Sequence, residues 1–115
     1  MTVDAQEMLR RLLLAPVDPI LADLNRLRVA AALVGLPPGG QLSFTALRKL
    51  LDLTDGNLGQ HVRVLAETGY VDVTRTSHGR RPQSLYAITA AGRAAFERHS
   101  EALAAIMAAG GRPPA

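Results

Sequence analysis

The chain has 115 residues, no cysteine, and 13 Lys or Arg against 10 Asp or Glu, for a formal charge of +3. That is one domain's length, enough for a core without staples. Disulfides, thiolate zinc sites and cysteine nucleophiles are excluded, no apolar run reaches the length of a membrane span, and the start, with Asp4 in it, does not read as a signal peptide.

Residues 4–14 read as a short helix, with Met8, Leu9, Leu12 and Leu13 at helical spacing and Pro16 as the stop. Asp18-Pro19 reads as an N-cap followed by proline at the first helical position, opening a helix that runs to about Leu36. Ile20, Leu24, Leu27, Ala31 and Val34 form one stripe on it. Val29, Leu33 and Leu36 lie off that stripe, so the helix is apolar on more than one face and needs two packing partners. Pro37-Pro38-Gly39-Gly40 ends it, and Gln41-Leu42 reads as a short strand. Ser43 caps a second helix whose apolar face is Phe44, Leu47, Leu50 and Leu51. After a turn at residues 53–56, Thr54 caps a third helix from Asp55 to Thr68, closed by Gly69 in the left-handed position. Two helices joined by about three residues have helix-turn-helix spacing.

Beyond Gly69 the period falls from 3.6 to 2. Residues 70–75 and 84–88 alternate as strands around a hairpin tip, Thr76 to Gln83. Thr89 caps a last helix of about 90–108, carrying Phe96, Leu103, Ile106 and Met107, and residues 110–115 read as a disordered tail. The division expected is an N-terminal helical arm at 1–17, one domain at 18–109, and that tail.

The segment LTDGNLGQHVRVLAETGYV (53–71) resembles the recognition helix and first wing strand of MarR/ArsR-like winged-helix regulators. GRRPQSLYAITAAGRAAF (79–96) resembles the second wing strand and following helix of the same group. It is most similar to the small stand-alone branch, in which a basic Gly-Arg-Arg/Lys-Pro tip precedes a Tyr-x-Leu/Ile-Thr-x-x-Gly-Arg signature. The similarity covers residues 18–108. It implies an α+β fold: a winged helix-turn-helix with an extra N-terminal helix and a C-terminal dimerisation helix. It also implies sequence-specific binding of double-stranded DNA by a homodimeric transcriptional regulator, read here as a repressor in the cytoplasm.

A helical wheel carries the same reading independently. Leu58, Val62 and Leu65 fall on one side, with His61 at its edge. Gly56, Asn57, Gln60, Arg63 and Val64 face largely the other way. Asn and Gln pair bidentately with adenine and Arg with guanine; the bland alternative is a solvated face of an ordinary amphipathic helix. Between residues 56 and 93 stand Arg63, Arg75, Arg80, Arg81 and Arg93, against Glu67 and Asp72 alone. Arg80 and Arg81 at the wing tip suit phosphate and minor-groove contact, or form a solvated basic turn. Arg75 and Arg93 are weaker phosphate candidates. Ser43, Thr45 and Arg48 flank the helix that crosses the backbone in this motif, although Ser43 serves equally as a cap alone. Thr54 completes the set of DNA-facing candidates.

For the homodimer the candidates are Leu9, Leu12, Leu24, Leu27, Phe96, Leu103 and Met107, unless these helices only cover each other within one chain. His61, His78 and His99 lack paired-ligand spacing and read as lone surface histidines, so neither metal nor cofactor is expected. No effector is identified; one would have to bind at the dimer interface. An enzyme is disfavoured by the lack of paired carboxylates or a phosphate loop. The remaining rival is a winged helix that binds another protein, which would show no steep salt dependence with duplex DNA.

Overall fold

The computed structural model describes residues 4–78 and 81–111, with His78 by its backbone alone. Among the described residues, five helices and one small antiparallel sheet follow in the order α1 (Ala5–Leu13), α2 (Leu24–Val34), β1 (Leu42–Ser43), α3 (Phe44–Leu51), α4 (Asp55–Thr68), β2 (Val71–His78), β3 (Arg81–Ile88) and α5 (Ala90–Gly110). The sheet order is β1-β3-β2. This is the α+β winged helix expected, with an additional helix at each end. The molecule is elongated, 67 × 25 × 23 Å, and α1 packs along α5.

Side-chain caps set most of the boundaries. Ser43 accepts the Ala46 N–H, Thr54 that of Asn57, and Thr89 that of Gly92. Each satisfies an N–H that the first helical turn leaves without an internal partner. The turn between α3 and α4 bends at Asp52, in the left-handed region at φ 53°, which Asp tolerates better than most residues. Gly69 closes α4 at φ 85°, as its place after Thr68 predicts.

The expected helix from Pro19 to Leu36 is corrected at its start. Asp18 does act as a cap: its Oδ1 accepts the Ile20 and Leu21 N–H groups. It holds only a turn, because Asp23 caps again through the Arg26 N–H and α2 begins at Leu24. The stripe through Leu24 and Ala31 is also corrected. The sealed face of α2 is Val29, Ala30 and Leu33, while Leu24 and Ala31 are exposed.

These residues join Leu21, Leu47, Leu58, Val62, Leu65, Val71, Tyr86 and Ala95 in one core between α2, α3, α4, the sheet and the start of α5. Phe44 packs its ring at a tilt against Tyr86, with centroids 6.4 Å apart. On α3, Leu47 is sealed but Leu50 is exposed.

The wing strands are longer than the alternating pattern suggested. Pairing runs from Val71↔Ile88 down to His78↔Arg81. β1 pairs β3 only at Tyr86 and Leu85. The outer side of β3 near Pro82 is thus an edge among the described residues, the place where a sheet tolerates proline. Arg80 and the tail from residue 112 lie outside the described residues. Gly110, assigned to the tail from the sequence, ends α5 instead.

Asp18 ties three elements together. Its N–H donates to His99 Nδ1 on α5 at 2.9 Å, and its Oδ2 accepts the Tyr70 hydroxyl at 2.6 Å. Desolvation alone would raise the Asp18 carboxyl. The Tyr70 hydroxyl, the Ile20 and Leu21 N–H groups and nearby His99 outweigh it and hold the group below its ordinary value. The same bond holds the Tyr70 hydroxyl above its own.

A carboxyl lowered on folding stabilises the fold above its unfolded value and loses that contribution as pH falls through the folded value. Tyr70→Phe is expected to cost about 2 kcal/mol at neutral pH, the scale of a hydrogen bond to a charged group. In urea titrations the gap between parent and variant should narrow below about pH 4. A gap that stays constant down to pH 2 would rule out the Asp18 carboxylate as the partner that matters.

Candidate nucleic-acid interface

Helix α4 has the division of faces that the wheel predicts. Leu58 and Leu65 are sealed in the core, with Val62 nearly so. Gly56, Asn57, Gln60 and Arg63 are exposed, and Val64 is half-buried. The Thr54 cap leaves the first turn of α4 facing solvent, where helix N–H groups favour anions. Asp55, in that turn, pairs with Arg48 of α3 at 3.1 Å, closing the helix-turn-helix across its own corner.

Arg75 on β2 and Arg81 on β3 are both exposed. They stand three and zero pairs from the His78↔Arg81 end of the hairpin. The wing therefore carries guanidinium groups along its length. Arg93, a weaker candidate, is half-buried and turns inward: its Nη1 donates to the Val34 carbonyl at 3.5 Å, near the end of α2. Ser43 is half-buried with its hydroxyl engaged as a cap, and Thr54 is exposed but likewise committed.

The residues considered for dimerisation divide. Leu27 and Phe96 pack against the core. Leu9, Leu24 and Met107 are exposed, and Leu12 and Leu103 are half-buried. Helix α1 has no buried residue, although Met8, Leu9 and Leu13 are apolar, and its C-cap Leu14 is exposed as well. The buried stripe of α5 consists of small residues and one ring: Gly92, Ala95, His99 and Ala102.

Two histidines correct the surface reading. His99 is 1% exposed, with Nδ1 accepting the Asp18 N–H. His61 is half-buried against α2, where Nδ1 stands 3.5 Å from Arg26 Nη1 and 3.8 Å from Asp23 Oδ1. Among the described residues no group of three His, Cys, Asp or Glu side chains could hold a metal ion, and no helix is long and apolar enough to cross a membrane. A cleft of about 560 Å³ lies between residues 15–19 and α5, with Asp18, Arg98, His99 and Glu101 among its walls.

Residues 26–107 match the family model described as a winged helix DNA-binding domain. The chain belongs to this family. The winged helix domain is also 35% identical over 80 residues to Uncharacterized protein MJ0432 of Methanocaldococcus jannaschii, covering 70% of this chain and 84% of that one. Among solved structures it is similar to a transcriptional regulator homologue from Pyrococcus horikoshii OT3, with a TM-score of 0.70, 31% identity, and 88% and 94% of the two chains covered. BldR, a transcriptional regulator from Sulfolobus solfataricus, shares the fold at a TM-score of 0.60 and 21% identity, over 90% of this chain and 68% of BldR. The MarR/ArsR-like resemblance of segments 53–71 and 79–96 agrees with these findings.

Proposed function

We propose that this winged helix domain is a transcriptional regulator that binds specific double-stranded DNA as a homodimer and represses by occluding a promoter. The observation that carries this reading is the exposed polar side of α4, with Asn57, Gln60 and Arg63 free of the core beside an arginine-bearing hairpin. Asn57 and Gln60 present amide groups that match adenine, and Arg63 a fork that matches guanine. Arg75, Arg80 and Arg81 on the wing supply phosphate contacts, which position the protein without reading sequence. The unburied apolar side of α1, together with exposed Met107 at the far end of α5, supports a second copy as partner. No catalytic chemistry enters this reading, and the domain takes no cofactor in it.

Arg63→Ala should lose about 1–3 kcal/mol on the preferred duplex and relax preference at one base position, leaving affinity for random duplex nearly unchanged. Replacing Arg80 and Arg81 together by Ala should instead weaken all duplexes alike and flatten the salt dependence by about two phosphate contacts. Fluorescence anisotropy over a salt series separates the two patterns. If both variants lower affinity for every sequence equally, α4 does not read bases.

A further inference from the structure

The side of α4 away from its exposed face carries a titratable group placed beside two groups of opposite charge. His61 leans on the start of α2, its side chain 12% exposed. Arg26 is fixed there by donating from Nε to the Ile20 carbonyl at 2.7 Å, and its Nη1 lies 3.5 Å from His61 Nδ1. A guanidinium only donates, so this contact requires a neutral ring with Nδ1 as acceptor. Asp23 Oδ1 stands 3.8 Å from the same nitrogen and is also the cap for the Arg26 N–H at 3.0 Å, while Asp23 Oδ2 lies 4.0 Å from Arg26 Nη1.

No other charged group enters the arrangement among the described residues. Three and four positions along α4 from His61 are Asn57, Leu58, Val64 and Leu65. Arg48 of α3 is paired with Asp55, and neither it nor Asp72 or Arg75 of β2 bonds to the ring.

We infer that His61 is a proton-dependent positioning residue for α4, seated on Arg26 when neutral and on Asp23 when charged. The inference rests on the DNA reading of α4 for its consequence. Protonation puts a hydrogen on Nδ1, so the Arg26 contact becomes repulsive and the Asp23 contact attractive. An N–H⁺···O⁻ bond closes to about 2.8 Å, against 3.8 Å here. Closing that gap draws α4 toward the start of α2 by at most about 1 Å, and Asp23 must share its capping oxygen. A recognition surface works only within about 0.5 Å of its productive geometry, so the charged seat weakens base reading. The Asp23 carboxyl, held below its ordinary value first by the Arg26 N–H and also by the neighbouring His61 and Arg26 charges, stays ionised to receive the charged ring.

The test uses the full chain and a duplex selected from a random pool. Its affinity relative to a scrambled duplex of equal length is measured from pH 8.0 to 5.5 at constant ionic strength. The ratio cancels the general gain in phosphate attraction that protonation of any histidine brings. For the parent the ratio should fall at least about fivefold, the low end of ordinary coupling between sites. His61→Gln keeps an acceptor for Arg26 but cannot charge, and should hold the parent's pH 8.0 ratio throughout. A flat ratio in the parent, or an equal fall in His61→Gln, overturns the inference. In amide NMR of the free protein, the Arg26 N–H and α4 signals should shift together with His61 titration and not in His61→Gln. Should the parent show no preference at pH 8.0, the DNA reading is what fails, and the NMR titration still decides the seat.

Discussion

Gly92→Ala is expected to destabilise the domain by about 3 kcal/mol or more, the upper range for forcing atoms into a packed site. The first turn of α5 rests directly on the residue that links α4 to the wing. Thr89 donates its N–H to the Tyr70 carbonyl at 3.0 Å and its hydroxyl to the Gly69 carbonyl at 2.7 Å, while also capping the Gly92 N–H. A Cβ on Gly92 would strike the Tyr70 carbonyl oxygen, and would stand 2.9 Å from both the Tyr70 carbonyl carbon and Ile88 Cδ1. Backbone cannot swing aside as a side-chain tip can, so α5 must lift from Tyr70 or lose its cap. With native stability of about 5–15 kcal/mol for ordinary domains, that is a large share of the total. Urea denaturation should show the midpoint falling sharply. A midpoint unchanged within error would mean that α5 does not seat on Tyr70 as described.

Leu9→Asp combined with Leu13→Asp is expected to convert the proposed dimer to a monomer of 12.2 kDa and to lower DNA affinity at least about a hundredfold, the scale of losing one of two linked binding events. Both leucines are exposed on α1 and line a shallow apolar groove with Gln6, Arg10 and Leu14. Nothing in the core depends on them, so circular dichroism and the thermal midpoint should change little. That separates loss of assembly from loss of fold. Leu14 at 63% and Met107 at 72% exposure show how much apolar surface one copy leaves in water. Sedimentation at micromolar concentration reads the result. A parent that already sediments as a monomer, or a variant that stays dimeric, removes α1 from the interface.

The helix boundaries and the exposed face of α4 were legible in the chain because the forces that shape them are local. Ser43, Thr54 and Thr89 cap helices by reaching three residues ahead, and Gly69 ends α4 because glycine accepts positive φ cheaply. The inward face of α4 followed from period 3.6 alone, since Leu58, Val62 and Leu65 have polar or small neighbours on the other sides. The start of α2 was not legible. Asp18 and Asp23 are both good caps, and what confines Asp18 to a turn is its tie to Tyr70 and His99, 52 and 81 residues away. Nor could period choose the buried side of α2, which is apolar nearly all round.

His99 was missed because it sits among Glu97, Arg98, Ser100 and Glu101, a solvated-looking stretch. A signal was present: Gly92, Ala95, His99 and Ala102 recur at helical spacing, and they are the face α5 buries. His61 was recognised as an edge residue, but its charged neighbours lie on α2, 35 and 38 positions earlier, where sequence spacing says nothing. Arg93 read as a weaker phosphate candidate, and its turn toward the end of α2 was not legible because it depends on how α5 crosses that helix.

The proposed regulator works only if α4 offers its outer side to a duplex, and one titration tests that. Duplexes selected from a random pool are bound by the purified chain while salt is raised from 50 to 200 mM. The expected result is an enriched site with two-fold symmetry, its half-sites about 34 Å apart, and an affinity that drops by several decades across that range. No enriched sequence, together with affinity that does not change with salt, would contradict it.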